Sequence, residues 1–379
     1  MAKYTYLALL VISCAAVSGR ASAQATEGRY IFTTVDSVPI TSVKDQASSG
    51  TCWSFSALGL FESELLRMGK GEYDFSEMFV VHKTMLDRAK AAVRLHGDIS
   101  FAPGGSFYDV VYCWKNYGIV PNEVMPGIMY GGERHNHGEL TLVATAYANT
   151  IAKGNLRRLS PVWTEGFSGI YDAYLGECPE SFTYNGKEYT PLSYAGSLGL
   201  NMDDYVSLTS YTHHPFYEQF ALEIPDNWRW AMSYNLPIEE LVEVMRNAIK
   251  SGYAFAWGAD VSETGFIRGT NAVCVVPVDG EEGTKVTTQP GQEKEITQEM
   301  RQEAYDNWET TDDHGMMIYG IATDQTGKEF YLVKNSWGTG SGRNGMWYAS
   351  EAYLAYKTMN ILVHKDALPK SIKKKLDIK

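Results

Sequence analysis

The chain has 379 residues, 44% of them hydrophobic and 21% charged, with no low-complexity tract; that composition fits a folded globular protein and excludes a disordered one. With 33 basic against 45 acidic residues the formal charge is −12, a surface that repels phosphates, so nucleic acid is not an expected partner. Lys370, Lys373, Lys374 and Lys375 form only a local basic patch and read as a solvated C-terminal tail over 370–379.

The chain begins with Lys3 and an apolar stretch through Leu7, Leu9, Leu10, Val11 and Ile12, then Ala21-Ser22-Ala23 before Gln24. This order predicts an export signal over 1–23 and a periplasmic or extracellular protein. Val11-Ile12-Ser13-Cys14 offers an alternative, a lipoprotein cut that leaves a lipid anchor on Cys14. The apolar run before Cys14 is short for a signal core, so cleavage after Ala23 is preferred. Cleavage there leaves Cys52, Cys113, Cys178 and Cys274, widely spaced and without a CxxC pair, which argues against a zinc knuckle or a disulfide scaffold. Cys113, Cys178 and Cys274 are expected to be small buried side chains.

After an N-terminal segment over 24–44, polar turn-forming residues from Asp45 to Thr51 lead into apolar positions at Trp53, Phe55, Ala57, Leu58, Leu60, Phe61, Leu65 and Leu66, with Gly69 as a stop. The spacing predicts a helix of about 17 residues. Cys52 then sits at the helix N-terminus, where unpaired N–H groups and the dipole favour a thiolate. Gly50 permits close backbone approach, and Gln46, six residues before the cysteine, is placed to join the Cys52 N–H in a hole for an oxyanion. Taken alone, a cysteine here reads as well as a buried helix-capping residue.

The middle of the chain predicts a helix from Leu140 to Leu156. His135-Asn-His137, with Glu133 or Glu139, could build a metal-dependent hydrolase, but two histidines on a glycine-flanked loop are expected to face solvent. His213-His214 is discounted likewise, because adjacent side chains diverge on helix or strand. No metal and no cofactor is therefore expected. Residues 280–305, rich in Gly, Glu, Gln and Thr, read as a surface excursion. A buried strand follows from just after His314 to Ala322, then a turn at Gln325-Thr-Gly327, then a second strand from Phe330 to Lys334 ending at Asn335-Ser-Trp-Gly338. Such a hairpin brings His314 beside Asn335, whose amide oxygen can fix the imidazole tautomer while Trp337 shields the bond. A Cys at a helix start, a Gln before it and a His–Asn pair on a later hairpin are the parts of an activated thiol nucleophile.

Gln46, Gly50, Cys52-Trp53-Ser54-Phe55, His314 and Asn335-Ser-Trp-Gly338 occur in the order of the motifs of papain-like cysteine peptidases, which this chain resembles. The resemblance implies an α+β, papain-like two-lobed fold: a helical lobe with Cys52 over 45–125 and a β-barrel-like lobe with His314 and Asn335 over 231–369. It implies peptide substrates and a Cys52 thioester intermediate, with catalytic Cys52, His314, Asn335 and Gln46. Gly104 and Gly105 of Pro103-Gly-Gly105, with Asp313 and Trp337, are the candidate substrate-binding residues. The Cys–His separation is far longer than the roughly 130–150 residues of papain relatives, and the excess over 126–230, read as a large helical insertion, is similar to the bleomycin hydrolase and aminopeptidase C branch. Ser49 and Ala102 stand where papain itself carries disulfide cysteines, and the stretch before Cys52 is too short for a long prosegment. That branch implies an aminopeptidase in a homo-hexamer, its C-terminal arm offering a carboxylate to the substrate amine. Only ten residues follow Pro369, so an endo- or oligopeptidase is the alternative expectation, and a non-catalytic peptide-binding protein a remoter one.

Overall fold

The computed structural model describes residues 29–379; the expected export signal and the alternative anchor at Cys14 lie outside them. The chain runs from β1 (Phe32–Ser37) into three helices, α1 (Cys52–Arg67), α2 (Glu77–Arg94) and α3 (Phe107–Asn116). Their starts are chemically marked. The Ser76 hydroxyl accepts from the Phe79 N–H before α2, and the Asp109 carboxylate accepts from the Ser106 N–H before α3, so each leaves one fewer orphan donor. Next come α4 (Gly138–Lys153), α5 (Val162–Leu175), a small hairpin of β2 (Phe182–Tyr184) and β3 (Lys187–Tyr189), and α6 (Pro191–Leu198). Leu58, Phe61, Phe79, Val110 and Phe167, all fully buried, belong to one apolar core shared by these helices.

The second half supplies the sheet. β4 (Tyr205–Thr209), β5 (Gln219–Ala221) and β6 (Met232–Asn235) precede α7 (Ile238–Lys250), β7 (Phe255–Ala259), β8 (Val273–Cys274), α8 (Glu281–Val286) and α9 (Gln298–Asp306). β9 (His314–Asp324), β10 (Glu329–Lys334), β11 (Met346–Ser350), α10 (Glu351–Lys357), β12 (Thr358–His364) and α11 (Lys370–Lys375) complete the described chain. The strand order is β5-β6-β4-β12-β7-β9-β10-β11-β8, with β1 also on β9. β9 is the central member: β7 lies along residues 314–318, β1 along 320–324, and β10 covers the opposite edge.

Three sequence expectations change. The segment 126–230 is not wholly helical, because β4 and β5 leave it to join the large sheet. Residues 280–305 are not a mere surface excursion: Arg301 on α9 is fully buried and donates to the carbonyls of Ser210, Ala355, Tyr356 and Thr358, which ties the segment to the sheet. The C-terminal tail is a docked helix rather than a solvated one, since Ile372 and Leu376 are buried in the sheet-lobe core while its lysines point outward. Cys113 and Cys274 are buried as expected, Cys178 is half-buried, and none of the described cysteines is disulfide-bonded.

The two lobes are joined by a buried polar network. Glu62 on α1 is fully buried; one carboxylate oxygen accepts from Thr41 Oγ1 at 2.6 Å, and the other from Lys44 Nζ at 2.8 Å and the Phe75 N–H at 3.0 Å. Thr41 in turn accepts from Lys334 Nζ at 2.9 Å, at the end of β10. Lys44 also pairs with Glu77 at 2.7 Å and Asp74 at 2.6 Å. Burial opposes the Lys44 charge, but Glu77, Glu62 and Asp74 together hold its pKa above the ordinary lysine value. Removing one partner of such a network strands the others, at a cost of about 3–5 kcal/mol. Glu62→Ala is therefore expected to lower unfolding stability by about that amount in urea titrations; an unchanged midpoint would show that the network does not hold the lobes.

Candidate active site

Cys52 is the first residue of α1, and no acidic side chain occupies that first turn. Gly50 adopts φ +68°, with Pro103 packed 3.1 Å from where a Cβ would stand, a conformation that favours glycine. Strand β9 crosses directly over this turn. A Cβ on Gly315 would lie 2.8 Å from Ser56 Oγ and 3.4 Å from the Cys52 carbonyl carbon, so the missing side chain lets the sheet lobe reach the helix N-terminus. The N–H groups of Gly315 and Trp53 both favour charge on the Cys52 sulfur.

His314 and Asn335 meet as the hairpin predicts: His314 Nε2 lies 2.8 Å from Asn335 Oδ1. Register explains how. From Glu329 to Leu332, β10 pairs with residues 323 to 320 of β9; a bulge then skips Tyr319, so that Val333 pairs with Ile318 and Lys334 with Met317. Continuing that register sets Asn335 opposite Met316, on the same face as His314 and diagonal to it. Without the bulge the parity would reverse and the two side chains would face opposite sides of the sheet. Asn335 Oδ1 also accepts from the Ser336 N–H at 2.7 Å, which fixes the amide orientation. The Nε2 proton is thus committed to Asn335, leaving Nδ1 for the thiol.

Gln46 is tied to the same loop. Its N–H donates to the Ser336 carbonyl at 2.8 Å, and its Oε1 accepts from Ser336 Oγ at 2.5 Å, so its Nε2 remains as the available donor. Ser336 therefore positions both amides, a role that was missed although the residue lies inside the Asn335–Gly338 motif. Trp337 packs against His314 with ring centroids 4.7 Å apart and the ring planes tilted by 31°. It lines a separate groove with Asp45, Tyr130 and His135 rather than the cavity that holds Cys52.

That cavity, about 200 Å³, is bounded by Cys52, Gly105, Asp226, Asp312, His314 and Asn360 among others. Gly105 lies where a Cβ would meet the Trp53 ring at 2.9 Å, and a Cβ on Gly104 would lie 2.0 Å from Asp226 Oδ2. The glycine pair thus makes room for an indole and a carboxylate. Asp313, the expected binding residue, also lines this cavity, with its carboxylate accepting from the Ser262 N–H at 3.0 Å and Thr311 Oγ1 at 2.8 Å. Its neighbour Asp312 faces the cavity with no hydrogen-bond or ion-pair partner among the described residues. Among the described residues Asp226 pairs only with Arg88, at 3.5 Å, and Arg88 directs its donors to the carbonyls of Ser100, Gly104 and Pro225. Loss of hydration pushes Asp312 up to about 8, helped by repulsion from Asp226 and Asp313; Asp226 is raised by the same loss of hydration, with Arg88 opposing.

Electrostatics modify the expectation drawn from the helix N-terminus. Cys52 shows part of its surface to the cavity but is densely surrounded; lost hydration pushes its thiol up to about 12, with the Asp312 and Asp226 charges adding to the shift and the Gly315 N–H opposing it. Burial lowers His314 to about 4, against the Asn335 hydrogen bond and the Asp313 charge, which raise it. Burial thus opposes the charged form of both groups.

The discounted histidines divide. His137 is buried rather than solvent-facing, and among the described residues neither it nor His135 forms a three-ligand group with an acid. His213 and His214 do converge, on Glu223.

The chain is 24% identical to Aminopeptidase G of Lactobacillus delbrueckii subsp. lactis, over 95% of this chain and 90% of that one. It is 25% identical to Aminopeptidase C of Streptococcus thermophilus, over 86% of this chain and 81% of that one. Its fold is similar to the crystal structure of PepW from Lactobacillus rhamnosis, with a TM-score of 0.68 at 20% identity, covering 91% of this chain and 84% of that one. Residues 11–379 match the profile of the Peptidase C1-like family, and the chain, with its papain-like α+β fold, belongs to that family of cysteine peptidases.

Proposed function

We propose that this chain is an exported aminopeptidase in which Cys52 is the nucleophile and Asp226 and Asp312 receive the substrate's terminal ammonium. The observation that carries the exopeptidase reading is the pair of under-partnered carboxylates that line one cavity with Cys52, both close enough to act on its thiol. Burying an ammonium without a counter-charge is costly, and burying two carboxylates without a cation is equally so; each group supplies what the other lacks. The names of the relatives, Aminopeptidase G and Aminopeptidase C, support the same reading, and the N-terminal sequence supports export.

In the proposed cycle, Cys52 Sγ attacks the scissile carbonyl carbon as its proton passes to His314 Nδ1. The oxyanion forms between Gln46 Nε2 and the Cys52 N–H. On collapse the C–N bond breaks and His314 returns the proton to the leaving amine, leaving a thioester on Cys52. Water then attacks the thioester, His314 accepting and returning its proton, and the free acid and the thiol are restored. Asn335 positions the imidazole throughout.

Hydrolysis of a dipeptidyl-coumarin with a free amine is expected to exceed that of its N-acetylated form. Faster cleavage of the blocked form would replace this reading with the endopeptidase one. Cys52→Ala should abolish both activities, and Gln46→Ala should lower kcat by about 10²–10³ with little change in KM. Asp226→Asn should raise KM for the free-amine substrate by about tenfold or more without raising KM for the blocked one.

The Asp312 shift gives a pH signature. Because its folded pKa lies near 8, Asp312 gains charge as pH rises toward 8, while the substrate amine loses its own near about 7.7–8.0. The preference for free over blocked substrate should therefore climb from pH 6, peak close to pH 8 and then fall. The folded state holds this proton more tightly than the unfolded chain does, whose aspartates titrate near about 3.9, so the group costs stability progressively as pH rises through that window. Asp312→Asn should raise Tm at pH 8 while flattening the pH dependence of the preference. A fall in Tm would mark Asp312 as structural instead.

A further inference from the structure

His213 and His214 lie in the connection between β4 and β5, and residues 212–214 form a turn and bend rather than a regular strand. The alternation that would separate adjacent side chains does not apply there. His213 Nε2 lies 3.1 Å from one oxygen of Glu223, and His214 Nε2 lies 2.9 Å from the other. All three groups have ligand atoms within 4.8 Å of one another.

Each ring is also held from behind. His213 stacks on Tyr305 with centroids 5.5 Å apart, and His214 stacks on Phe220 at 4.2 Å. Gln302 on α9 sets both ends of its amide near His213 Nδ1, Nε2 at 3.1 Å and Oε1 at 3.4 Å. That amide is itself fixed, because Oε1 accepts from the Thr212 N–H at 2.6 Å and Nε2 donates to Asp306 at 3.0 Å. It can therefore serve either tautomer of His213. An outer partner of this kind on the non-ligating nitrogen is what orients a metal-binding imidazole.

We infer that His213, His214 and Glu223 bind a zinc-type divalent cation that fastens the outer wall of the substrate cleft. Two imidazole nitrogens and one carboxylate oxygen form a borderline donor set suited to Zn²⁺ and unsuited to the all-oxygen preference of Ca²⁺ or Mg²⁺. The partial exposure of all three groups leaves the fourth position to water. On binding, the proton at each Nε2 relocates to Nδ1 through solvent; His213 then donates to Gln302 Oε1, and no net proton need be released. The consequence reaches the cleft through the backbone. Glu223 lies between Leu222 and Ile224 and three residues before Asp226, all three of which line the cavity. The only strand in this stretch is the three-residue edge strand β5. A cation joining residues 213 and 214 to residue 223 closes that edge into a ring.

The test uses the full chain as Cys52→Ser, so that the catalytic thiol takes no metal, titrated with Zn²⁺ alone by calorimetry and melted with and without EDTA. The expected result is one ion per chain and a higher Tm in Zn²⁺ than in EDTA. Ca²⁺ should have no effect, and Co²⁺ should give the visible absorption of a tetrahedral nitrogen–oxygen site. His214→Ala and Glu223→Gln should each abolish the ion and the Tm rise, and Gln302→Leu should weaken binding by about 10–100-fold. Tm values in EDTA matching the parent establish that the variants are folded; if His214→Ala fails that control, the near-isosteric Glu223→Gln decides. Absence of Zn²⁺ binding in the parent, or binding undiminished in Glu223→Gln, would overturn the proposal.

Discussion

The carboxylate of Glu62 is the point at which the two lobes are made one structure. It lies on the helix that begins with Cys52, and through Thr41 it reaches Lys334, the residue before Asn335. The separation between the thiol and the His–Asn pair is therefore set by short hydrogen bonds and not by apolar contact alone. A buried ion network is a poor source of net stability compared with well-packed hydrophobic residues. What it supplies is direction: each oxygen accepts from a stated donor, so α1 cannot slide along β10 without stranding a charge. Apolar packing tolerates small shifts, whereas nucleophilic attack is sensitive to displacements of the order of 1 Å.

Burial and nearby acidic charge both oppose thiolate formation in the site built on this frame. Burial pushes the Cys52 thiol up, with the Asp312 and Asp226 charges adding to the shift, and burial likewise opposes charge on His314. On the proposed reading, a substrate ammonium entering between Asp226 and Asp312 cancels part of the negative potential that opposes thiolate formation. Recognition of the free amine and activation of the nucleophile then become one event, and a peptide lacking the amine gains neither. This is differential stabilisation of the reacting state by a part of the substrate that does not itself react. Arg88 fits the same logic. Fully buried and satisfied by backbone carbonyls, it holds Asp226 at 3.5 Å, near enough to anchor the loop and too far to neutralise it fully.

The core of this site was legible because its signals are local. Cys52 at a helix start, Gln46 six residues earlier, and His314 and Asn335 on one hairpin each depend on spacing within a single element or two adjacent ones. The Tyr319 bulge was not legible, since the apolar pattern of β9 runs through it without a break, yet it decides which face Asn335 occupies. Asp226 lies more than 170 residues from Cys52 in sequence, on a loop with no pattern of its own. Choosing between Asp312 and Asp313 required knowing that the Ser262 N–H and Thr311 capture the second. β4 and β5 were absorbed into an expected helical insertion because their partners, β12 and β6, lie outside that segment. His213 and His214 were misjudged by applying strand geometry to a turn.

Three of these features, Asp226, β5 and the paired histidines, share a location. The connection from β4 to β6 carries the converging histidines, Glu223 and Asp226, and its residues Leu222, Ile224 and Asp226 line the cavity together with Cys52. Its sheet contact is an edge strand of three residues, so most of its order must come from side chains: Tyr305 donating to the Glu223 carbonyl at 2.9 Å, Asn227 bonded to Leu222 and Ala231, and Arg88 beneath Asp226. Sequence periodicity cannot report such order, because each of these bonds joins residues with no common repeat. A wall built this way can change the residues proposed here to bind the amine and the cation without disturbing the helix and hairpin that hold Cys52, His314 and Asn335. The Cys–His–Asn geometry rests on the sheet and the Glu62 network, and on the proposed reading substrate choice falls to a separate, side-chain-tethered loop.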